Sequence, residues 1–378
     1  MRIRWARGLN AIWIVFPALA LAQAPARPTG PRFMNVGSLP QPPVPADPLE
    51  LVAGNAQPVQ DATQRATIIS LLANARALSN VRAQPYDLKT SFTAFGSAGS
   101  DGSWQMENVA PGGGLYRWTA EGPGYSVVNL NQKQLHYSNQ PGSSIPLRLA
   151  QARAAIFYVN SVFGPRASIR TATGSLNGTE VTCALTERMA VPKTATGGRL
   201  WDEAEFCVDP KTGLLMTYSA VPGLYISYDY SNAVHFHDKI IPGKFTITEG
   251  GRTVIEAHTD SVSDPKADPS LFSPAGLNPV GAGPLESPPA NFRSRDLGAA
   301  GASNPVLQIV VLHAMATPDG HFAETEVLGS SDPNLTQQAL QRIANWQGRR
   351  MAMDEPQPGA SPESHEIFFT IEFVVAGT

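Results

Sequence analysis

Charge and cysteine are both scarce in this chain. Asp, Glu, Lys and Arg make up 16% of its 378 residues, and the 28 basic side chains are outnumbered by 31 acidic ones. No basic patch offers itself to phosphates, so nucleic acid is not an expected partner. Cysteine occurs twice, at Cys183 and Cys207. Two cysteines with no further Cys or His at ligand spacing do not make a metal site. One disulfide in an oxidising compartment is the expectation, with free thiols as the alternative. Gly-x-Ser-x-Gly, His-Glu-x-x-His and Walker-type runs are all missing, so no nucleophile, zinc-bound water or phosphate loop is indicated. The expectation is a protein that is not an enzyme and carries no cofactor.

The first residues are of another kind. Arg2, Arg4 and Arg7 precede an apolar run from Leu9 to Ala22, which ends in Ala20-Leu21-Ala22. This is the layout of a secretory signal peptide over residues 1–22 with a small-x-small cleavage site. A helix needs ~20 apolar residues to span a bilayer, and this run has 14 with Pro17 inside it. Export to the periplasm is expected, and an uncleaved N-terminal anchor in the inner membrane is the alternative. Removing three arginines would take the formal charge from −3 to −6. Residues 23–60 carry Pro40, Pro42, Pro43, Pro45 and Pro48 and read as an extended, disordered spacer.

Ordered structure is expected from Asp61, which with Gln64 forms a capping pair. Ile68, Leu71, Leu72, Ala75 and Leu78 then share one helical face until Pro85 stops it. From Tyr86 the period changes to two. Short strands follow around Trp104–Val109, Leu115–Ala120 and Tyr125–Leu130, then a helix over about Ile145–Val159, and more strands from Ile169 onward. Strands Val181–Leu185 and Leu200–Val208 carry the two cysteines. Their pairing would bridge neighbouring strands and contribute about 3 kcal/mol. Asp209-Pro210-Lys211-Thr212-Gly213 has turn chemistry, and Glu249-Gly250-Gly251-Arg252 links two alternating runs as a hairpin. Eight to ten strands and two helices are expected between Asp61 and Leu277.

Ala77-Leu78-Ser79-Asn80, Pro85-Tyr86-Asp87-Leu88-Lys89, the Val208–Leu214 turn, Tyr228-Asp229-Tyr230, Ile241-Pro242 and Asp268-Pro269 before Leu271-Phe272 together resemble the LolA/LolB-like family of periplasmic lipoprotein carriers. The resemblance implies an α+β fold over residues 61–277. Its core would be a curved antiparallel half-barrel whose helix-lidded face holds a lipid or acyl ligand. Residues 278–304, rich in Pro, Gly and Ala, read as a linker.

In residues 305–378, Val306–Leu312 is an apolar strand, Thr317-Pro318-Asp319-Gly320 a turn, and Ala323–Leu328 the return strand. Asp332 is an N-cap with Pro333 at the first helical position. Leu335, Leu340, Ile343 and Trp346 then form the stripe that packs the helix on the sheet. Ile367, Phe369, Ile371 and Phe373 alternate in a last strand. This β-β-α-β order, with its Asp-Gly turn, Ser330-Ser331 and helix-end Trp346, resembles the TonB C-terminal domain. The resemblance implies binding of an outer-membrane receptor or other envelope protein in TonB-dependent transport. The contact would be β-strand addition to the edge carrying Glu366, Phe368, Thr370, Glu372 and Val374. A homodimer through the same domain is left open. The sequence departs from the family after Trp346, where Gln347-Gly348 stand in place of its usual residues, so energy transduction is less implied than the fold. His235, His237 and His258 are read as exposed rather than metal-binding, and Glu203 and Glu205 as a solvated pair on one strand face.

Overall fold

The computed structural model of the chain describes residues 56–97, 99–132, 135–141, 145–157, 168–187, 203–266, 268–281, 291–296, 305–317, 321–330, 332–345 and 364–376. The expected signal peptide and nearly all of the Pro-rich spacer lie outside them, as does Trp346. Among the described residues no helix is long and apolar enough to cross a membrane.

The two-residue strand β1 (Gln57–Pro58) leads into helix α1 (Ala62–Ser79). Asp61 caps that helix by accepting from the Gln64 amide at 2.7 Å, as the capping pair predicts. Strands β2 (Tyr86–Ala94), β3 (Gly102–Gly112), β4 (Leu115–Gly122), β5 (Tyr125–Gln132) and β6 (Leu135–Ser138) then form a meander. Helix α2 (Leu147–Phe157) is followed by β7 (Ser168–Leu176), β8 (Thr179–Glu187), β9 (Ala204–Val208), β10 (Leu215–Val221) and β11 (Leu224–Asp229). The short β12 (Val234–Phe236) and β13 (Lys239–Ile241) pair only with each other. β14 (Lys244–Glu249), β15 (Arg252–Ser263) and β16 (Asn278–Gly281) complete a 14-stranded sheet of order β1-β7-β8-β9-β10-β11-β14-β15-β2-β3-β4-β5-β6-β16. The described residues between Asp61 and Leu277 thus hold fourteen strands rather than eight to ten. Three-residue strands such as β12 and β13 are too short to show an alternation in sequence.

Both helices lie on one face of the large sheet. Ile68, Leu72 and Ala75 of α1 and Leu149, Ala152 and Ala155 of α2 share a core with Phe92, Trp104, Trp118, Phe206, Phe245 and Ile247. The opposite face carries separate apolar clusters. One is built around Val181, Cys183, Leu185 and Cys207, and another around Val109, Leu130 and Phe272. Because side chains alternate along each strand, Ala184 and Phe206 reach the helix side while the cysteines reach the other.

The C-terminal part is a four-stranded sheet made of β17 (Asn291–Asp296), β18 (Pro305–Ala316), β19 (Phe322–Ser330) and β20 (His365–Ala376), with helix α3 (Pro333–Ala344) between the last two. Asp332 caps α3 by accepting from the Asn334 amide at 2.9 Å. Leu335, Ala339 and Ile343, with Leu340 partly buried beside them, pack on Val310, Leu312, Ile367, Phe369 and Ile371. The other face of this sheet, through Val311, Leu328 and Phe368, joins the core of the large sheet. Gly223 shows how close the approach is: its φ is +82°, and a Cβ there would lie 2.5 Å from Val311 Cγ2. Thr370 Oγ1 also donates to Pro222 O at 3.1 Å.

Two expectations are corrected here. The strand carrying Glu366, Phe368, Thr370, Glu372 and Val374 is not an edge. The sheet order is β17-β20-β18-β19, so β20 is paired in parallel with β17 on one side and antiparallel with β18 on the other. A strand whose N–H and C=O groups are taken on both sides has none to offer an added peptide. Of those residues, Phe368, Thr370 and Glu372 are buried. The second correction concerns the 278–304 linker. It contributes β16, paired with β6 at the end of the large sheet, and β17, the strand that covers β20.

Candidate ligand-binding cleft

A cleft of about 570 Å³, counting its open mouth, lies between the helix-covered sheet face and the two helices. Ser79 and Val81 line it at the end of α1, and Ala155 and Ile156 line it from α2. The floor comes from Leu88 and Thr90 of β2, Tyr228 of β11, Phe245 of β14 and Thr259 of β15. Leu215, Tyr230, Ile241 and Pro242 close the sides. Its lining suits an apolar or amphiphilic group.

The polar groups here are mostly committed. Tyr228 donates to Ala155 O at 2.8 Å, tying β11 to α2. Thr259 Oγ1 donates to Pro242 O at 2.8 Å, and Ser79 Oγ donates back to Ala75 O at 3.1 Å. Thr90 differs: its hydroxyl is buried and lacks a hydrogen-bond partner. Burial pushes the Tyr228 phenol well above its ordinary value, with Tyr230 and Tyr218 adding to the effect. Burial likewise raises Tyr230. Both stay neutral, and the described lining residues include no carboxylate, imidazole or thiol.

Helix α2 carries three buried polar side chains toward the sheet: Arg148, Gln151 and Arg153. Arg148 Nη1 lies 2.7 Å from Glu249 Oε1, with the two side chains 1% and 0% exposed. Gln151 bridges them, accepting from Arg148 at 2.9 Å and donating to Glu249 at 2.5 Å. Arg148 also donates to Phe95 O and Gly96 O. A buried ion pair needs such added partners to offset desolvation. Next to it, Ser97 Oγ donates to Glu366 of β20.

The structure places the other sequence candidates as follows. Cys183 and Cys207 are register partners on β8 and β9 and form a disulfide, with Cα atoms 4.0 Å apart. Glu205 lies close enough to complete a three-ligand cluster with them, but both sulfurs are spent in the disulfide. Glu203 and Glu205 are not a solvated pair, being 1% and 0% exposed. Glu203 receives a two-pronged contact from Arg170 at 2.7 and 2.6 Å. The reason is that this face of β9 is covered by the disulfide cluster, and a buried carboxylate there requires a partner. The three histidines do not converge with other ligands among the described residues. His237 Nε2 sits 2.9 Å from Asp264 on the exposed surface.

The cleft itself was hidden from sequence reasoning, because its walls come from seven separate segments. One signal was present. Asn108 and Asn129 occupy strand positions that point to the helix-covered face, where apolar residues would ordinarily stand.

No family model matches this chain, and no curated protein matches it. Among solved structures it is similar to a LolA superfamily protein from Nitrosomonas europaea, with a TM-score of 0.37 and 9% identity over 54% of this chain and 96% of that one. It is also similar to a putative outer membrane lipoprotein-sorting protein domain from Vibrio parahaemolyticus, with a TM-score of 0.34 and 9% identity over 54% and 95%. A DUF1329 family protein from Desulfovibrio piger gives a TM-score of 0.35 and 9% identity over 56% and 99%.

Proposed function

We propose that this protein is a non-enzymatic carrier of a lipid or acylated ligand, acting in the periplasm. The observation that carries the reading is the cleft between the sheet and its two helices, walled by Val81, Leu88, Ile156, Ile241 and Phe245 with few uncommitted polar atoms. An acyl chain gains about 0.8 kcal/mol for each methylene it buries, and an apolar groove with an open mouth is the shape that collects this. The LolA/LolB-like sequence resemblance supports the same reading, and the signal-peptide layout supports the compartment. Receptor binding by strand addition to β20 is set aside because β17 and β18 occupy both of its sides.

The test is mass spectrometry of organic extracts from the natively purified protein, beside Leu88→Trp, which fills the cleft. Acyl lipid at near one equivalent in the wild type and its loss in the folded variant is expected. An extract free of lipid, with no uptake of added fatty acid, would refute the reading.

A further inference from the structure

The helix-covered face changes character one strand beyond the cleft. Leu88 lines the cleft, its register partner on β3 is Asn108, and the partner of Asn108 on β4 is Trp118. Both of these partners are 0% exposed. Arg153, one turn of α2 before Ile156, stacks 3.7 Å above the Trp118 ring. It donates to Asn108 Oδ1 at 2.9 Å and to the Tyr116 hydroxyl at 2.8 Å. Tyr116 donates to the same Asn108 oxygen at 3.1 Å.

Two donors on Oδ1 fix which way the Asn108 amide faces, so its Nδ2 is the other, unsatisfied end. That nitrogen and Trp118 Nε1 are both buried donors without a hydrogen-bond partner. On the next row, the register partners Asn131 and His136 also each hold a buried unpartnered atom, Oδ1 and Nδ1. Native proteins leave few such groups, because each costs about 1–3 kcal/mol. Directly paired residues on neighbouring strands have Cβ atoms about 5 Å apart, so the two unpartnered donors belong to adjacent side chains on one sheet face.

We propose that Asn108 Nδ2 and Trp118 Nε1 hold the headgroup oxygen of the bound lipid, a carboxylate or ester oxygen that accepts from both while the acyl chain lies in the adjoining cleft. This rests on the lipid-binding reading above and names the end of the ligand that the cleft does not. The ligand supplies the acceptor that the unliganded fold lacks. Tyr116 and Arg153 are positioning residues, since they orient the Asn108 amide.

The test uses the full chain and three probes: diphenylhexatriene, an apolar rod whose fluorescence reports cleft occupancy, with palmitate and methyl palmitate as competitors. Trp118→Phe removes one donor and keeps a smaller aromatic ring beneath Arg153. It is expected to leave diphenylhexatriene binding unchanged and to weaken palmitate about tenfold. Because the smaller ring leaves a cavity in the core, circular dichroism and unchanged diphenylhexatriene binding are used to show that the variant is folded. Asn108→Asp replaces the donor with an acceptor and is expected to weaken palmitate more than methyl palmitate. Equal loss of both competitors in Trp118→Phe assigns the site to a carbonyl oxygen in general, and loss of palmitate alone assigns it to a carboxylate. The inference is overturned if both competitors displace the rod equally well from wild type and variants. It also falls, while the cleft reading stands, if the rod binds and neither acyl probe displaces it. If nothing binds, both fall together.

Discussion

Arg148 and Glu249 permit a prediction whose size and asymmetry both follow from the contacts. Both side chains are essentially unexposed, and the charged atoms are 2.7 Å apart. Removing one member of a buried pair strands the other and costs about 3–5 kcal/mol. The two halves are not equally supported, however. Without Glu249, Arg148 keeps Gln151 and the carbonyls of Phe95 and Gly96 as acceptors. Without Arg148, Glu249 keeps Gln151 alone, and its Oε2 already has no partner. Arg148→Met is therefore expected at the upper end, about 4–5 kcal/mol, and Glu249→Leu nearer 3 kcal/mol. The double variant buries no charge and should cost less than Arg148→Met alone, giving a coupling of at least about 2 kcal/mol. Urea unfolding followed by circular dichroism measures all four proteins, with a constant m-value showing that the same surface is exposed in each. Single costs below about 1 kcal/mol, or a double variant equal to the sum of the singles, would refute the assignment of this pair as a buried, mutually dependent unit.

Further outcomes are expected elsewhere. Gly223→Ala combines a φ of +82° with a clash against Val311, and should cost about 1–3 kcal/mol; protection of β20 amides from hydrogen exchange should fall with it. Reducing Cys183–Cys207, which closes a separation of 24 residues, should lower stability by about 3 kcal/mol, and a Cys183→Ala/Cys207→Ala variant should then be insensitive to reductant. The Asp209 carboxyl is held below its ordinary 3.8: burial pushes it upward, but hydrogen bonds from Thr212 and Lys211 outweigh that. A depressed folded value means stabilisation that is present above pH 3.8 and lost as pH falls through the lower folded value. The stability gap between wild type and Asp209→Asn should therefore shrink on acidification below about pH 4, and a gap that stays constant to pH 2 would count against the contact.

What could be read in advance was local. The α3 cap is written in Asp332-Pro333, the β14–β15 hairpin in Glu249-Gly250-Gly251-Arg252, and the disulfide follows from two cysteines on consecutive strands. What could not be read depends on partners far away in sequence. Asn291–Asp296 shows little alternation of its own, and its partners on β20 lie 77 residues further along the chain. Glu203 looked like a surface carboxylate because Arg170, on a strand two places away in the sheet, and the cluster covering that face both come from elsewhere. The Asn108 and Trp118 pair was visible only as a polar residue at an inward strand position. The guanidinium that covers it arrives from α2, 45 residues later.

The arrangement of the small sheet sets an order of events for the growing chain. β20 is its second strand in space and its last in sequence, so β17 has no neighbour until residues 365–376 have been made. β18 meanwhile can pair only with β19. The large sheet can therefore close without the small one, which is completed only when residues 365–376 take their place between β17 and β18. Any premature stop upstream of His365 leaves Val310, Leu312 and the apolar stripe of α3 facing water, a surface that folding factors and proteases are equipped to notice.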